Sequence, residues 1–369
     1  MSINFNFSQD LRFWVALSTF DKFGAKKFDL LKKYFPNMEF AFNASINELV
    51  SAGINKKIAE EFIEHRKKIN PEQEMEKLAL ENIKVITVKD NKYPKLLKEI
   101  YDPPPLLYYK GQWPDNINFC LAVVGSRKYT SYGQQATEFL TSRMAQHNLI
   151  IVSGLALGID ALAHIACVKA GGKTIAVLGS GIDKKNIYPA SNRYVAEQIL
   201  DNNGLIITEF PIGTPPLHYH FPQRNRIISG LSLGTLVIEA SIKSGASITA
   251  KLALEQGREV FAVPGSIFSP NCEGSNKLIK EGAKPVLCAD DIIESLSLEN
   301  IENFVEAQKL VPQSPEEEKI LTSLSREAIH INQLARITKL DTGTINATLL
   351  TMELKGYIRN LGGGNYVLT

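Results

Sequence analysis

The sequence has little of several features that mark particular protein classes. Its four cysteines are widely separated and show no C-x-x-C spacing, so neither a zinc site nor a disulfide framework is expected. No apolar run approaches the ~20 residues that are needed to cross a bilayer. The N-terminal segment lacks a basic region followed by an apolar core, so no signal peptide is predicted. A cytoplasmic protein with free, buried thiols and no membrane partner is the simplest interpretation.

An excess of charge of one sign is also missing. Lys and Arg number 41 against 39 for Asp and Glu, a net charge of +2, so any anion site must come from local clustering of basic residues. The 369 residues exceed one ordinary core, and a hydrophobic fraction of 44% is typical of globular proteins. We therefore expect two or three domains.

Residues 1–75 have the pattern of a small helical domain. The stretches FGAKKFDLLKKYF and AGINKKIAEEFIE repeat one unit: an apolar residue, a glycine, a short polar turn and an amphipathic helix. Gly24 and Gly53 are expected to supply a permissive backbone at the two turns. Two such units predict a helix-hairpin-helix or SAM-like module, which can direct backbone N–H groups at a phosphate. A helical packing domain without a ligand fits the pattern equally well.

Short apolar runs dominate residues 76–297. They lie at 83–88, 121–124, 149–152, 174–178, 205–208, 235–239, 259–263 and 285–288, and most are followed by helical periodicity. Continuous apolar runs indicate strands covered on both faces, so we predict an α/β fold with an extended Rossmann-like, mostly parallel sheet flanked by helices. The proline-rich stretch YDPPPLLYYKG (101–111) is interpreted as a passage that leads into this sheet.

The chain becomes polar and acidic at 298–315, which predicts a linker. Residues 316–369 then give one helix, a helix-turn-helix and a glycine-tipped hairpin, the pattern of a winged helix. This segment carries six basic and six acidic residues. Because a duplex reader usually presents a basic face, contact with a protein or regulation of the core is favoured over duplex binding.

Four loops at one edge of the predicted sheet are rich in glycine and serine. VVGSRKYTSYG, VSGLALGID and LGSGIDKKNIYP follow successive strands, and SGASITA opens a later helix. In open parallel sheets, ligands bind where the carboxyl ends of strands lead into helices. Glycines let the backbone approach an anion, while serines and helix N-termini supply donors. We therefore predict an anion site here, the alternative being tight turns without a ligand.

The loops match no common nucleotide-binding motif, so no cofactor is expected. GSGIDK has Lys184 where a dinucleotide fingerprint needs its third glycine, and GGKT (171–174) precedes a strand instead of opening a helix. The rival function is a nucleotide-processing hydrolase. GLSLGTLVIEA is similar to the PGGxGTxxE loop of cytokinin-activating phosphoribohydrolases, but it lacks Pro-Gly-Gly and its Glu239 comes one residue late. His164 lies in a predicted helix, where a packed core histidine is favoured over a base.

The stretch HYHFPQRNRIISG (218–230) concentrates arginines and flat rings. Arg224 and Arg226 offer planar cationic forks to a phosphodiester backbone. Tyr219 and Phe221 offer surfaces on which unpaired bases can stack. The segment is interpreted as a loop stiffened by Pro222. Together with the glycine-rich loops it favours a single strand of nucleic acid over a mononucleotide, although Phe221 could instead anchor its loop in the core.

Long motifs in order along the chain resemble the DNA-processing protein A family (DprA, also called Smf). They are GSRKYTSYG, SGLALGIDALAHIACV, TIAVLGSGIDKKNIYPASN, FPQRNRIISGLSLGTLVIEASIKSGASITAKLALEQGREVFAVPG and EGSNKLIKEGA. The resemblance implies a Rossmann-type core that binds single-stranded DNA, usually as a homodimer, between outer helical and winged-helix domains. It also implies protection of incoming DNA in natural transformation and help in loading the recombinase RecA, without catalysis.

The loops and the family motifs together define the predicted DNA-binding residues. They are Ser126, Arg127, Ser153, Gly154, Gly179, Gly181, Lys184, His218, Phe221, Arg224, Asn225, Arg226, Ser244, Gly245 and Lys251. The resemblance also marks one departure. Relatives often carry a basic residue where His218 stands, so one phosphate contact is expected to be weaker or pH-dependent here.

Overall fold

The computed structural model describes residues 10–115, 117–296, 314–324, 329–354 and 358–368. The chain divides into two compact units, Met1–Glu299 and Asn300–Thr369. Among the described helices, none combines the length and the apolar character that a membrane crossing requires. The cysteines are free, with Cys120, Cys167 and Cys272 buried and Cys288 half-buried. The predicted linker at 298–315 lies almost entirely outside the described residues.

The first unit begins with six helices around an aromatic core. The rings of Phe20, Phe23, Phe42 and Phe62 contact one another with centroids 4.7 to 6.1 Å apart, at distances where aromatic packing is favourable. The helices are α1 (Leu11–Ser18), α2 (Ala25–Tyr34), α3 (Met38–Asn43), α4 (Ile46–Ser51), α5 (Lys56–Arg66) and α6 (Pro71–Leu80).

The two predicted turn glycines of this module differ. Gly53, between α4 and α5, has φ +92°, a left-handed conformation that favours glycine. Gly24 precedes α2 with φ −81° and ψ −176°, an extended backbone that any residue adopts. A Cβ at Gly24 would also meet open space. The expectation that both turns need glycine is therefore wrong for Gly24.

A nine-stranded sheet follows, in the order β1-β2-β6-β5-β4-β3-β7-β8-β9. The strands from β6 to β9 pair in parallel, which confirms the mostly parallel α/β sheet. Every residue of β3, β4, β5, β6 and β7 is buried, as continuous apolar runs predict. The strands are β1 (Lys84–Thr87), β2 (Leu106–Gly111), β3 (Cys120–Val124), β4 (Ile150–Ser153), β5 (Thr174–Val177), β6 (Leu205–Thr208), β7 (Gly234–Val237), β8 (Glu259–Ala262) and β9 (Lys284–Pro285).

Two edges of the sheet differ from the sequence prediction. The proline-rich passage contains β2, which pairs antiparallel with both β1 and β6 and buries Leu106, Leu107 and Tyr108. The three prolines precede this strand, so its ladder hydrogen bonds stay intact. At the opposite edge, the predicted strand at 285–288 shrinks to the two residues of β9. Val286 is buried but Leu287 is exposed, so the apolar run leaves the core after Val286.

The strand order changes direction between β3 and β7. From β3 the chain adds β4, β5 and β6 on one side, and then crosses to add β7, β8 and β9 on the other. Such a switch point leaves a crevice outside the carboxyl ends of the two strands.

Eight helices of the first unit follow or connect the strands of this sheet. They are α7 (Lys95–Lys98), α8 (Ser131–Gln146), α9 (Ile159–Lys169), α10 (Arg193–Asp201), α11 (His220–Leu231), α12 (Gly245–Glu255), α13 (Glu273–Lys280) and α14 (Asp290–Ser295), with a 3-10 turn at Ala190–Asn192.

The segment that the sequence presents as a stiffened loop is the first turn of α11. The helix begins at His220, so Pro222 lies within that first turn. Backbone N–H groups of a first turn have no intrahelical acceptor, and a proline there costs no hydrogen bond. The loop interpretation of residues 220–226 is therefore wrong.

The second unit is a small helical domain with a three-stranded sheet, which confirms the predicted winged helix. Its core contains Ile320, Leu334, Ile345, Leu349 and Met352. The wing is the hairpin of β11 and β12, whose turn carries three consecutive glycines with positive φ. The elements are α15 (Pro315–Ser323), β10 (Ile329–His330), α16 (Ile331–Thr338), α17 (Thr342–Leu354), β11 (Ile358–Gly362) and β12 (Asn365–Leu368).

Candidate nucleic-acid interface

A cleft of about 300 Å³ opens at the switch point between β3 and β7. Its walls come from the loop after β3, the start of α11 and the loop that opens α12. Distant parts of the sequence therefore meet at one place. Eight of the predicted DNA-binding residues line this cleft: Ser126, Arg127, His218, Phe221, Arg224, Asn225, Ser244 and Gly245.

The loop after β3 supplies one exposed cation. The Ser126 hydroxyl donates to the Lys128 carbonyl (2.8 Å) and accepts from the Lys128 N–H (3.1 Å), so it closes a tight turn. Arg127 is exposed and, within the described ranges, makes no ion pair or hydrogen bond. Gly158 has φ +86°, and a Cβ there would lie 2.2 Å from the Ser126 carbonyl oxygen. Glycine at 158 therefore lets the turn form with the Arg127 guanidinium free at the cleft.

Arg224 supplies a second cation beneath the cleft. It is only 3% exposed, and its Nη1 donates to the Val177 carbonyl at the end of β5. Its Nε is buried without a hydrogen-bond partner among the described residues. Burial lowers the pKa of Arg224 to about 10, Asp160 opposes that shift and Arg127 adds to it. The guanidinium therefore stays charged at neutral pH and places a fixed positive charge under the cleft floor.

Asp160 is the buried acid that faces this cation. Burial raises the pKa of Asp160, while the charge of Arg224 and backbone donors, including the Gly154 N–H at 3.1 Å, act in the opposite direction. The carboxyl group thereby holds the loop after β4 against the start of α9. The negative charge of Asp160 also favours the charged form of Arg224.

Phe221 lines the other wall of the cleft, and Tyr188 contacts its ring from outside the lining. Phe221 is half-buried, and its ring lies against Gly179, where a Cβ would be 2.9 Å from Cδ1. Tyr188 contacts Phe221 with ring centroids 5.8 Å apart and is 51% exposed. The sequence prediction missed Tyr188. An aromatic residue before Pro189, in a glycine-rich loop at the edge that binds ligands, is the signal that could have found it.

The N-terminus of α12 closes the cleft. The Ser244 hydroxyl caps the helix by accepting from the Ser247 N–H (3.2 Å), and the Asn225 side chain donates to the Gly245 carbonyl (3.4 Å). The partial positive charge of this 11-residue helix therefore faces the cleft. Lys243, exposed and without an ion pair among the described residues, precedes Ser244 outside the cleft lining and is a cation that the prediction missed. A lysine directly before a Ser-Gly helix start is the available signal.

Three further predicted residues support the cleft from behind. The buried Ser153 hydroxyl donates to the Val123 carbonyl (2.6 Å) and ties β4 to β3. At Gly154 a Cβ would lie 2.2 Å from Nη1 of Arg224, so glycine makes room for the buried guanidinium. Gly179 does the same for the ring of Phe221. These residues position the cleft and do not line it.

The remaining predicted residues lie outside the cleft lining. Gly181 lies in the loop after β5, where a Cβ would be 2.7 Å from Oδ1 of Asp183. The ammonium group of Lys184 pairs with Glu197 (3.0 Å), and that of Lys251 lies 3.7 Å from Glu255 on α12. Both lysines are largely exposed, and such surface pairs break at little cost.

Arg226 is held on another face of α11. Its Nε donates to Asp102 (2.9 Å), and its Nη1 and Nη2 donate to the two carboxylate oxygens of Glu209 (2.8 and 2.7 Å). The side chain is only 12% exposed. Burial would lower the pKa of Arg226, but Glu209 and Asp102 outweigh it and raise that pKa. We therefore leave Arg226 out of the proposed DNA site.

The residues of the rival hydrolase hypothesis have structural partners. Glu239 is buried and accepts from the N–H (2.9 Å) and hydroxyl (2.5 Å) of Thr130, which caps α8. His164 is buried, with Nδ1 2.7 Å from the Thr174 hydroxyl, and burial lowers the pKa of His164 to about 3. Neither side chain lines the cleft. Among the described residues, no three His, Cys, Asp or Glu side chains come together to hold a metal ion.

Family models and similar proteins point to the same family. The model for DNA recombination-mediator protein A matches residues 84–297, and the model for the DprA winged helix domain matches residues 305–364. Protein Smf of Synechocystis sp. is 35% identical over 96% of this chain and 98% of its own length. DNA processing protein DprA of Bacillus subtilis is 44% identical over 60% of this chain and 74% of its own length.

Solved structures agree. The X-ray structure of DNA processing protein A from Streptococcus pneumoniae is 35% identical, with a TM-score of 0.62 over 77% of this chain and 95% of that one. The Helicobacter pylori protein of the same name, described with a single-stranded DNA binding mode, is 29% identical, with a TM-score of 0.51 over 58% of this chain and 95% of its own. The resemblance predicted from the sequence is confirmed: the chain belongs to the DNA-processing protein A family, DprA or Smf.

Proposed function

We propose that this protein binds single-stranded DNA in the cleft between β3 and β7 and acts in DNA processing during transformation and recombination. One observation carries the proposal. The exposed Arg127, the N-terminus of α12 and the ring of Phe221, which contacts Tyr188, line one cleft at the switch point of the sheet. The relative from Helicobacter pylori, described with a single-stranded DNA binding mode, supports the assignment of the ligand.

The cleft separates the two kinds of contact that a single strand needs. Arg127, Lys243 and the N-terminus of α12 face solvent and suit a phosphate, with the buried charge of Arg224 beneath them. Phe221 and Tyr188 suit a base, because an unpaired base exposes its flat face. In a duplex those faces are covered by the neighbouring base pairs, so paired bases cannot stack on the two rings.

The hydrolase alternative has weaker support. A phosphoribohydrolase needs a carboxylate at the ribose, whereas Glu239 is occupied at the cap of α8 and the buried Asp160 holds the loop after β4. The test is incubation with nucleoside monophosphates. Release of free base by the wild-type chain that Glu239→Gln abolishes would replace the proposal.

Partners follow from the family. We propose that the protein acts as a homodimer, protects incoming DNA and assists a RecA-type recombinase; the matching description "DNA recombination-mediator protein A" supports the role in recombination. Sedimentation of the full chain tests the dimer. Nucleation of recombinase filaments on strands coated with a single-strand-binding protein, with and without this chain, tests the assistance.

Fluorescence anisotropy with labelled oligothymidylate and the matching duplex tests the site. We expect the single strand to bind more tightly, and its affinity to fall steeply with salt. Phe221→Ala should weaken binding by ~1–3 kcal/mol with little change in the salt slope, because a stacked base carries no counterion. Phe40→Ala removes an exposed ring from α3, outside the cleft lining, and is the control. Equal affinity for duplex and single strand would contradict the proposal.

A further inference from the structure

The loop between β8 and α13 exposes two large apolar residues side by side. Ile267 is 79% exposed and Phe268 is 89% exposed, so neither contributes to a core. The loop Pro264–Asn271 carries no charged residue. An exposed apolar pair that does not serve folding points to a ligand or partner.

The base of this loop is firmly held. The Tyr132 hydroxyl donates to the Pro264 carbonyl (2.6 Å), and the Asn271 side chain donates to the Lys128 carbonyl (2.8 Å). Asn276 accepts from the Gly265 N–H (3.1 Å) and donates to the Gly265 carbonyl (3.0 Å). The loop tip is therefore presented on a fixed base, directly beside the turn that carries Arg127.

Exposed rings and cations lie between the cleft and the loop tip. Lys128, like its neighbour Arg127, is exposed and makes no ion pair within the described part of the chain. Tyr129 and Tyr132 are half exposed on the same segment. A carboxylate partner of another protein would be matched by cations alone, whereas alternating cations and rings match the phosphates and bases of a single strand.

The order of strands gives the length of this path. The ring pair lies at the end of β5 and the exposed loop at the end of β8, four strand spacings apart in the sheet. At ~4.8 Å per spacing this is ~19 Å. A stacked strand rises ~3.4 Å per nucleotide, so about six nucleotides cover the path, and an extended strand needs fewer.

We propose that a single DNA strand held in the cleft continues past Lys128 and stacks a base on Phe268, with Ile267 beside it. The loop Pro264–Asn271 is then the outer end of the binding track, and it sets how many nucleotides one chain covers. The inference rests on the proposed function, because the ligand is the strand that the cleft binds.

Binding of short and long oligothymidylates by the full chain tests the inference. Phe268→Ala should lower the affinity roughly fivefold or more on a strand of about 15 nucleotides. A strand of about four nucleotides, which fills only the cleft, should bind Phe268→Ala as well as wild type. Phe40→Ala, an exposed ring on α3, should change neither. Because Phe268 is almost fully exposed, its removal leaves no cavity, and unchanged melting confirms the fold.

The outcomes separate the two proposals. If wild type binds the long strand and Phe268→Ala binds it equally well, the track inference is overturned while the proposed function stands. If wild type binds neither strand, both are overturned. If Phe268→Ala leaves binding unchanged and instead alters the sedimentation of the full chain, the loop serves contact between copies, and the inference is again overturned.

Discussion

Substitutions of Arg226 and Arg127 should have separate effects, the first on the stability of the fold and the second on DNA binding. Arg226→Ala removes the guanidinium that holds Glu209 through two hydrogen bonds and Asp102 through a third. The Glu209 side chain is only 16% exposed, so the change leaves a mostly buried carboxylate without its cation. Arg127→Ala removes a side chain that is exposed and unpaired within the described ranges. The first change should act on folding, and the second on DNA.

The magnitudes follow from those environments. Breaking a buried ion pair by removing one partner costs about 3–5 kcal/mol, and partial exposure of Asp102 and Glu209 places Arg226→Ala at the lower end. The melting temperature should fall by several degrees, while the slope of log K against log salt stays unchanged. Arg127→Ala should leave melting unchanged and lower the slope by ~0.7, the value for one phosphate on a single strand.

Thermal melting and anisotropy over a salt series measure both quantities. The double variant Arg226→Ala, Glu209→Ala supplies the control, because removing both partners leaves no unpaired carboxylate at 209. It should be less destabilised than the sum of the two single variants. A variant Arg226→Ala that melts like wild type but flattens the salt slope would refute the reasoning and return Arg226 to the DNA site.

Three further expectations concern the rings, a buried histidine and the winged helix. Tyr188→Ala should weaken single-strand binding by ~1 kcal/mol, whereas Tyr194→Ala, equally exposed at 53% but without a contact to Phe221, should leave anisotropy titrations unchanged. Because His164 has its pKa lowered from 6.5 to about 3, the unfolded chain binds more protons between these values. The free energy of unfolding, measured by urea titration, should therefore drop as pH falls below 6.5, by about 2 kcal/mol from pH 7 to pH 5, and His164→Asn should flatten that trend. Removing residues 300–369 should keep most single-strand affinity in the same titrations, since that unit has balanced charge.

The core of the sheet could be predicted from the sequence because burial on both faces leaves a direct pattern. Seven of the apolar runs lie on strands that pair in the sheet. The edges could not be predicted as well. β2 is adjacent to prolines, and of the apolar run at 285–288 only Pro285 lies in β9, while Leu287 is exposed. At an edge, pairing on one side alone decides the strand, and the sequence carries little record of it.

The positions of the two arginines could not be predicted because their backbone was taken for a loop. In a loop, the side chains of Arg224 and Arg226 have no predictable directions, so the sequence gives no reason to assign them different roles. On α11 they are two residues apart, and at 3.6 residues per turn their side chains point about 200° apart. Arg224 therefore turns under the cleft and Arg226 turns toward Asp102 and Glu209. A helix start at His220 is the single fact that separates their roles.

The ring pair depends in turn on one glycine. A Cβ on Gly179 would lie 2.9 Å from Cδ1 and 3.3 Å from Cε1 of Phe221, and Cδ1 is not the free end of a flexible chain. The backbone at 179 has no positive φ, so alanine is compatible with the local conformation. Gly179→Ala should therefore fold normally but displace the ring from its place beside Tyr188.

Single-strand affinity of Gly179→Ala should fall toward that of Phe221→Ala, by ~1 kcal/mol or more, with an unchanged salt slope. The double variant Gly179→Ala, Phe221→Ala distinguishes this cause from a separate contact of Gly179 with the DNA backbone. If the glycine acts only by making room for the ring, the second change adds nothing once the ring is gone, and the two effects are not additive. Additive losses in the anisotropy titration would instead mean that the Gly179 backbone contacts DNA itself.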